Sequence, residues 1–372
     1  MRRRISSIVM ATILVILSGY MFILGGREVL HTCAGTVFFP GLQYLNDNKK
    51  KTDWKELLAE NLFPLYQYVN EHAPTATKVE DSLTYEMLLA EQAKDEERIS
   101  EDLTTNTEDA SVATQVSNLD MSMEKLRDFN YLISKFYTVD STTTINASQL
   151  NVDDLLSRNM KINTASNGPK VLIFHTHSQE AFADSKSGDT STSIVGMGKY
   201  LSEQLHALGI ETLHHDGVYD LINGKLDRSK AYQQAEVGVK HILNQYPSIE
   251  VVIDLHRDGV PETTHLVTEI GGKKVAKIMY FNGLCRTKSN GDLTSMPNPY
   301  IQDNLALSLQ MQLESEKQFS GFTRRIYLKG YRYNMHLMPK TLLIEAGAQT
   351  NTVEEVKNAM DLLAKILSKV LL

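Results

Sequence analysis

Histidine and glutamate residues follow three apolar segments of this sequence, and these side chains together suit a divalent metal. The apolar segment 171–174 leads into His177 and Glu180, and two later apolar segments end at His256 and Glu345. Zinc hydrolases commonly use three protein ligands of the His, His, Glu type and keep a fourth position for water, with a further carboxylate as base. The sequence therefore predicts a Zn²⁺ site with hydrolytic chemistry.

The spacing of His177 and Glu180 allows both side chains to reach one ion. Strict strand alternation would send residues three apart to opposite faces, whereas three residues of loop let them converge. His256 is the expected third ligand. His175 lies two residues before His177, so it is a candidate for a further metal ligand or a substrate-binding group.

Other carboxylates suit supporting roles at this site. Asp254 and Asp258 flank His256, and either would accept the second imidazole N–H, which fixes the tautomer and raises the basicity of the ligand. Glu345 ends a strand that should lie in the same sheet. It is the candidate catalytic base, which takes a proton from water and later protonates the leaving amine.

The composition is that of a globular protein and does not indicate a nucleic-acid partner or a cysteine-based site. The chain has 372 residues, 42% of them apolar and 22% charged, which is ordinary for a globular protein. Its net charge of -7 gives no reason to expect nucleic acid as a partner. Cys33 and Cys285 are the two cysteines, so neither a disulfide framework nor a thiolate zinc site is expected.

The N-terminal sequence predicts a membrane anchor. Residues 5–26 carry no charge and follow Arg2, Arg3 and Arg4. A helix of that length rises about 33 Å, enough to cross a hydrocarbon core of about 30 Å. The basic cluster should stay cytoplasmic, so the chain after Arg27 is expected outside the cell membrane. A cleaved signal peptide, or lipidation at Cys33, is the alternative.

Composition also predicts how the chain is divided. Residues 1–27 form the cytoplasmic tip and transmembrane helix, and residues 28–120 form an extracytoplasmic, partly disordered stalk, because 80–120 is acidic and poor in large apolar groups. Residues 121–166 have helical spacing and are expected to be a helical lead-in. Residues 167–372 are the expected catalytic domain, which begins at the turn signal Asn167-Gly-Pro.

Within 167–372, strand and helix patterns alternate, which predicts an α/β fold with a mixed, mostly parallel sheet flanked by helices. The strands are expected at 171–174, around 210–213, at 251–256, 265–270 and 274–281, around 325–328, and at 341–345. The helices are expected at 194–208, 229–246, 299–319 and 353–371.

Three segments resemble the stage II sporulation protein P family of endospore-forming bacteria. They are His175-Thr-His-Ser-Gln-Glu180, Asp254-Leu-His-Arg-Asp-Gly259 and Tyr333-Asn-Met-His-Leu-Met-Pro-Lys-Thr-Leu-Leu-Ile-Glu345-Ala-Gly. The resemblance covers roughly residues 125 to 372. That family is similar in turn to the zinc N-acetylmuramoyl-L-alanine amidases, and the order of ligands also resembles zinc carboxypeptidases.

The resemblance implies an amidase-like fold and cleavage of the amide between muramic acid and L-alanine in peptidoglycan, together with peptide cross-links, during engulfment. It implies two partners besides the wall and the membrane: another engulfment hydrolase and a multi-pass membrane protein. In the amidases the glutamate ligand lies near the start of the first helix, where this chain has Ser193 and Ile194. Glu180 is therefore the expected ligand here.

Polar residues beside these motifs are expected to contact substrate. Arg257, Arg332 and Lys340 are candidates to bind stem-peptide carboxylates, and Asn334 is a candidate to orient the substrate. Two other functions remain open from the sequence. One is a zinc carboxypeptidase or endopeptidase that acts on stem peptides alone, and the other is a wall-binding scaffold without activity.

Overall fold

The computed structural model describes residues 119–372, in which helices alternate with the strands of one large sheet. The helices are α1 Met123–Arg127, α2 Phe129–Phe136, α3 Val152–Ser157, α4 Ile194–Ala207, α5 Ala231–Gln245, α6 Ile301–Gln318 and α7 Val353–Leu371. The strands are β1 Tyr137–Val139, β2 Val171–Phe174, β3 Thr212–His214, β4 Leu221–Ile222, β5 Lys225–Leu226, β6 Val251–Asp258, β7 Val267–Ile270, β8 Lys273–Ala276, β9 Ile278–Gly283, β10 Arg286–Thr287, β11 Gly291–Asp292, β12 Ile326–Lys329 and β13 Thr341–Ala348.

The large sheet has the strand order β1-β12-β9-β13-β6-β2-β3. Neighbouring strands are parallel except for β9 and β13, which pair in antiparallel fashion. The sheet is thus two parallel blocks that run in opposite directions. Because β2, β6 and β13 belong to the same block, their carboxyl ends meet at one edge of the sheet, which confirms the predicted mixed, mostly parallel sheet.

Side chains alternate between the two faces of the sheet. One face packs against α4, α6 and α7, and its buried residues include Ile173 of β2, Ile253 of β6 and Ile344 of β13. The opposite face carries Leu172 and Val252, which pack against buried residues of α5. Both faces are covered, which explains why these strands read as continuous apolar runs.

Most predicted elements are present, and the differences have local causes. The expected strand 274–281 is interrupted at Lys277, whose backbone N–H donates to Leu266 O while its carbonyl accepts from Gly347 N. The chain therefore leaves the β7–β8 hairpin and enters the main sheet as β9. The lead-in also holds a strand, β1, which pairs with β12, and its helices contribute Leu126 and Phe136 to the same core as the sheet.

A bulge interrupts β13 just after Glu345. The register with β6 shifts between Glu345 and Ala348. Gly347 within the bulge has a φ of 66°, and a Cβ there would lie 2.9 Å from Asn351 Oδ1. Glycine suits this position because other residues rarely adopt such a φ.

The predicted anchor, and all but the last two residues of the predicted stalk, lie outside the described residues. From residue 119 onward, no helix has both the length and the apolar character needed to cross a bilayer.

Candidate metal centre

The candidate metal centre lies at the carboxyl edge of β2, β6 and β13. His256 belongs to β6 and pairs in register with Glu345 of β13, so both side chains project from the same face of the sheet. His177 and Glu180 lie in the loop that follows β2. The strand-end pattern seen in the sequence therefore brings together four ionisable side chains from three segments.

His177, Glu180 and His256 form a buried group of three metal-type donors. One donor atom from each residue lies within 4.8 Å of the others. His177 Nδ1 is 3.5 Å from Glu180 Oε1, and His256 Nδ1 is 3.8 Å from Glu180 Oε2. Tetrahedral ligands at zinc-ligand distances of 2.0–2.1 Å are about 3.3 Å apart, so these donor atoms, which lie within 4.8 Å of one another, would hold one zinc ion after closing by up to about 1.5 Å.

The charges at this group favour a cation. Burial alone would raise the pKa of Glu180, but hydrogen bonds and charge from His177 and His256 outweigh it, and the pKa lies well below its usual value. Burial alone would lower the pKa of His256, yet the charges and contacts of Asp254 and Glu180 raise it well above its ordinary value. A positive charge in this buried space is thus stabilised by the acids around it.

Asp254, one of the two carboxylates predicted to support His256, lies against its imidazole. Asp254 Oδ1 lies 2.8 Å from His256 Nε2, an ion-pair contact whose alignment falls short of a hydrogen bond. Thr176 holds the carboxylate in place: its N–H donates to Asp254 Oδ1 at 2.9 Å and its hydroxyl to Oδ2 at 2.6 Å. With Nε2 facing Asp254, Nδ1 of His256 faces the donor group.

Asp258, the alternative partner for an imidazole, has a different role. It accepts from Arg324 Nη1 at 2.5 Å and from the N–H of Gly259 at 2.7 Å. Arg324 and Asp258 are both buried. The expectation that Asp258 supports a histidine is therefore wrong, because Asp258 forms a buried ion pair with Arg324 instead. Arg324 belongs to none of the motifs seen in the sequence.

Glu345 is suited to acid-base chemistry. Its side chain is partly exposed, while its Oε2 is buried and has no hydrogen-bond partner among residues 119–372. Burial, followed by the charge of Asp258, raises the pKa of Glu345 to about 8. An acid with a pKa near neutrality can both accept and return a proton.

Two arginines contact Glu180 from outside the donor group. The backbone N–H of Arg257 donates to Glu180 Oε2 at 2.8 Å, and Arg228 Nη2 donates to Oε1 at 3.3 Å. Arg257, expected to bind substrate, thus contacts the centre through its backbone, while its Nη1 donates to Asp258 O. Arg228 was not predicted, since it precedes α5 and no motif surrounds it.

Two tyrosine rings pack beside the imidazole of His177. The ring of Tyr232, in the first turn of α5, meets His177 edge-on with centroids 5.7 Å apart. Tyr333 packs against Tyr232 with centroids 5.6 Å apart, and Asn334 Nδ2 donates to Tyr232 O at 2.8 Å. Tyr232 was not among the residues predicted from the sequence.

Asn334 and Arg332, the neighbours of Tyr333 in the sequence, are buried. Arg332 Nη2 lies 3.3 Å from Glu236 Oε2, and Glu236 also binds His336 and Lys240. The contacts of both predicted residues are with other parts of the protein, so their structural role is clear, and substrate binding by either one stays a prediction.

The structure does not bring His175 to the donor group. His175 Nδ1 donates to Leu255 O at 2.8 Å, and its Nε2 lies 3.0 Å from His214 Nε2. His175 is two residues beyond Ile173, on the side that packs against α4, and a Cβ on Gly198 of α4 would meet its ring. The expectation of a further ligand therefore fails because strand alternation continues past Phe174.

The family model described as stage II sporulation protein P matches residues 52–368 of the chain. A curated relative, stage II sporulation protein P of Bacillus subtilis (strain 168), is 24% identical over 214 residues, which cover 54% of this chain and 50% of the relative. The match thus spans about half the length of that relative.

Two solved structures are also similar. N-acetylmuramoyl-L-alanine amidase AmiC2 of Nostoc punctiforme is 11% identical and covers 55% of this chain and 96% of its own, with a TM-score of 0.31. The apo form of the amidase Ami1 from Mycobacterium abscessus is 14% identical and covers 55% of this chain and 100% of its own, with a TM-score of 0.33.

Proposed function

The chain belongs to the stage II sporulation protein P family, and from this premise we propose that it is a zinc-dependent hydrolase that cleaves the amide between N-acetylmuramic acid and L-alanine in peptidoglycan. The observation that carries the proposal is the convergence of His177, Glu180 and His256 beside Glu345. The setting proposed from the family is removal of wall material during sporulation engulfment.

The donor set supports zinc as the metal. It consists of two imidazoles and one carboxylate, the combination used by zinc hydrolases that keep a position for water. When bound, zinc supplies Lewis-acid activation of a carbonyl and of water. His177, Glu180 and His256 would hold it.

The surrounding residues supply orientation and proton transfer. Thr176 fixes Asp254, which faces Nε2 of His256 and so leaves Nδ1 toward the centre. Glu345, with its raised pKa, takes the proton of the attacking water and passes it to the departing nitrogen. Each of these steps uses a side chain already placed at the site before substrate arrives.

The direct test is hydrolysis of purified peptidoglycan by the full-length chain, with chelator and then with added zinc. Mass spectrometry of the products should show glycan strands freed of peptide and new L-alanine N-termini, only when zinc is present. Cut peptides that remain attached to muramic acid would instead favour a stem-peptide peptidase. Release of neither product in the presence of zinc would remove the hydrolase proposal.

We further propose that the protein is a single-pass membrane protein with a cytoplasmic N-terminus and its hydrolytic domain outside, facing the wall from the engulfing mother-cell membrane. The support is the uncharged stretch 5–26 after three arginines. Another engulfment hydrolase and a multi-pass membrane protein are the proposed partners. Protease added to intact protoplasts should digest the C-terminal domain, and protection of that domain would contradict this orientation.

A further inference from the structure

A partly exposed arginine lies at the rim of the metal centre. Arg228 Nη2 donates to Glu180 Oε1 at 3.3 Å, and the Arg228 side chain is 34% exposed whereas that of Glu180 is 4% exposed. The guanidinium therefore reaches from solvent to a candidate metal ligand. A group bound by this guanidinium would therefore lie beside the substrate held at the centre.

Arg228 differs from the other arginines near the site. Arg324 and Arg332 are buried and occupied by Asp258 and Glu236. Arg257 is partly exposed, but its guanidinium donates to a backbone carbonyl and only its backbone N–H contacts Glu180. Arg228 combines exposure with a side-chain contact to the donor group.

The Arg228 guanidinium also has more hydrogen-bond donors than its contact with Glu180 uses. Its Nε–H has no hydrogen-bond partner within the described part of the chain, although that atom is buried. Its contact with Glu180 uses a single N–H, whereas a guanidinium carries five. A carboxylate is the ligand that the planar fork of an arginine binds best, through two parallel hydrogen bonds.

Buried hydrogen bonds hold the segment before Arg228 against the loop that carries His177 and Glu180. Asp220 Oδ1 accepts from the Ser178 hydroxyl at 2.7 Å and Oδ2 from the Gln179 N–H at 3.1 Å. Asp227 N donates back to Asp220 O at 2.9 Å and closes the β4–β5 hairpin immediately before Arg228. The guanidinium is thus held against the loop that carries His177 and Glu180, rather than on a free surface segment.

We propose that Arg228 forms a carboxylate-binding subsite near the scissile amide and selects substrates with a free α-carboxylate on the second residue of the stem peptide, one residue away from the cleaved bond. The inference rests on the proposed amide hydrolysis and adds the substrate class. A cation bound to Glu180 would offset part of the negative charge of that carboxylate. The ion pair between Glu180 and Arg228 would then be weaker, and the guanidinium would bind a second anion more readily.

The test compares two muramyl dipeptides that differ in one group, a free α-carboxylate or the carboxamide on the second residue. The zinc-loaded full-length chain should prefer the carboxylate by roughly 10- to 100-fold in kcat/KM, the range of a charge-assisted hydrogen bond. Arg228→Gln should bring this ratio close to one, mainly through KM. Lys225→Gln, which removes an exposed positive charge from the same hairpin, should keep the wild-type ratio.

Equal rates on the two dipeptides in the wild type, or an unchanged ratio in Arg228→Gln, would show that Arg228 only holds Glu180. Should Arg228→Gln fail to fold, Arg228→Lys keeps the charge but loses the fork, and it should still lower the ratio.

A binding measurement separates this inference from the proposed function. Calorimetry with the zinc-loaded Glu345→Gln chain should give a lower Kd for the carboxylate dipeptide, and adding Arg228→Gln should abolish the difference. If the wild type hydrolyses neither dipeptide but this difference in Kd is present, the subsite stands and the hydrolase proposal falls. If hydrolysis occurs without any preference in rate or Kd, the reverse holds.

Discussion

Glu345 and His256 lie directly opposite each other on neighbouring parallel strands, in the register that pairs β13 with β6. Paired positions send their side chains to the same face, and the strands are held about 4.8 Å apart by backbone hydrogen bonds. The relation of the candidate base to a candidate ligand is therefore set by the sheet itself, whereas His177 and Glu180 depend on a loop.

Glu345→Gln should lower turnover of peptidoglycan by roughly 10²- to 10⁴-fold, because the amide cannot accept a proton from water. Zinc content should stay at the wild-type level, since Glu345 is outside the donor group. Rates on purified wall and metal analysis of the same samples check both parts. Glu354→Gln, an exposed glutamate at the start of α7, is the matched control and should behave as wild type.

Removal of zinc should lower both activity and stability. Zinc at 100 times its Kd stabilises the folded chain by about 2.7 kcal/mol, which corresponds to a rise in Tm of roughly 5–10 °C. Thermal unfolding with chelator and with zinc measures the shift. His256→Ala should lose the zinc-dependent shift, whereas His241→Ala, at an exposed position of α5, should retain it. A zinc shift that survives in His256→Ala would exclude that residue as a ligand.

Asp254→Asn should weaken zinc binding by roughly 10- to 100-fold, because the carboxylate that faces His256 is replaced by a neutral amide. Competition with a chromogenic chelator gives the Kd directly. Asp153→Asn serves as the control, since Asp153 is an exposed partner of Arg127 far from the centre in sequence and on α3. Equal zinc affinity in the two variants would argue against a supporting role for Asp254.

Arg324→Met should destabilise the protein by about 3–5 kcal/mol, because it leaves the buried carboxylate of Asp258 without its cation. Urea denaturation measures the loss. The double variant Arg324→Met with Asp258→Asn removes the uncompensated charge and should recover part of the stability. If the loss in free energy of unfolding in the double variant equals the sum of the losses in the two single variants, Arg324 and Asp258 are not coupled.

His336 should make stability fall in mild acid. Burial, followed by the charge of Arg332, lowers its pKa from 6.5 to about 4. The unfolded chain therefore binds more protons than the folded chain between these values, so the stability present above pH 6.5 is lost as the pH falls toward 4. His336→Gln, which keeps a donor for Glu236, should flatten this part of the urea-denaturation profile, whereas His206→Gln at an exposed position should not.

The sequence predicted those site residues that the backbone itself places. His177, His256 and Glu345 follow recognisable apolar strands, and parallel strands bring their carboxyl ends together. The role of His175 stayed open from the sequence, and the structure turns it away from the donor group because the strand alternation continues past Phe174. The strand β1 was missed because three residues at a sheet edge leave no periodic signal.

The residues that surround the donors could not be predicted in this way. Arg228 and Tyr232 reach the centre from a hairpin and a helix that follow β3, and Arg324 precedes β12 at a distant point of the chain. Their contacts depend on how these elements pack on the sheet, and neither their spacing nor their neighbours in the sequence distinguish them from surface arginines and core tyrosines.

The bulge after Glu345 offers a criterion for recognising distant relatives. A position whose backbone dihedral excludes side chains, and whose Cβ would strike Asn351, tolerates almost nothing but glycine. An acid followed two positions later by glycine at the end of an apolar run should therefore persist in chains whose remaining sequence has diverged, and its loss would mark homologues that have abandoned this arrangement.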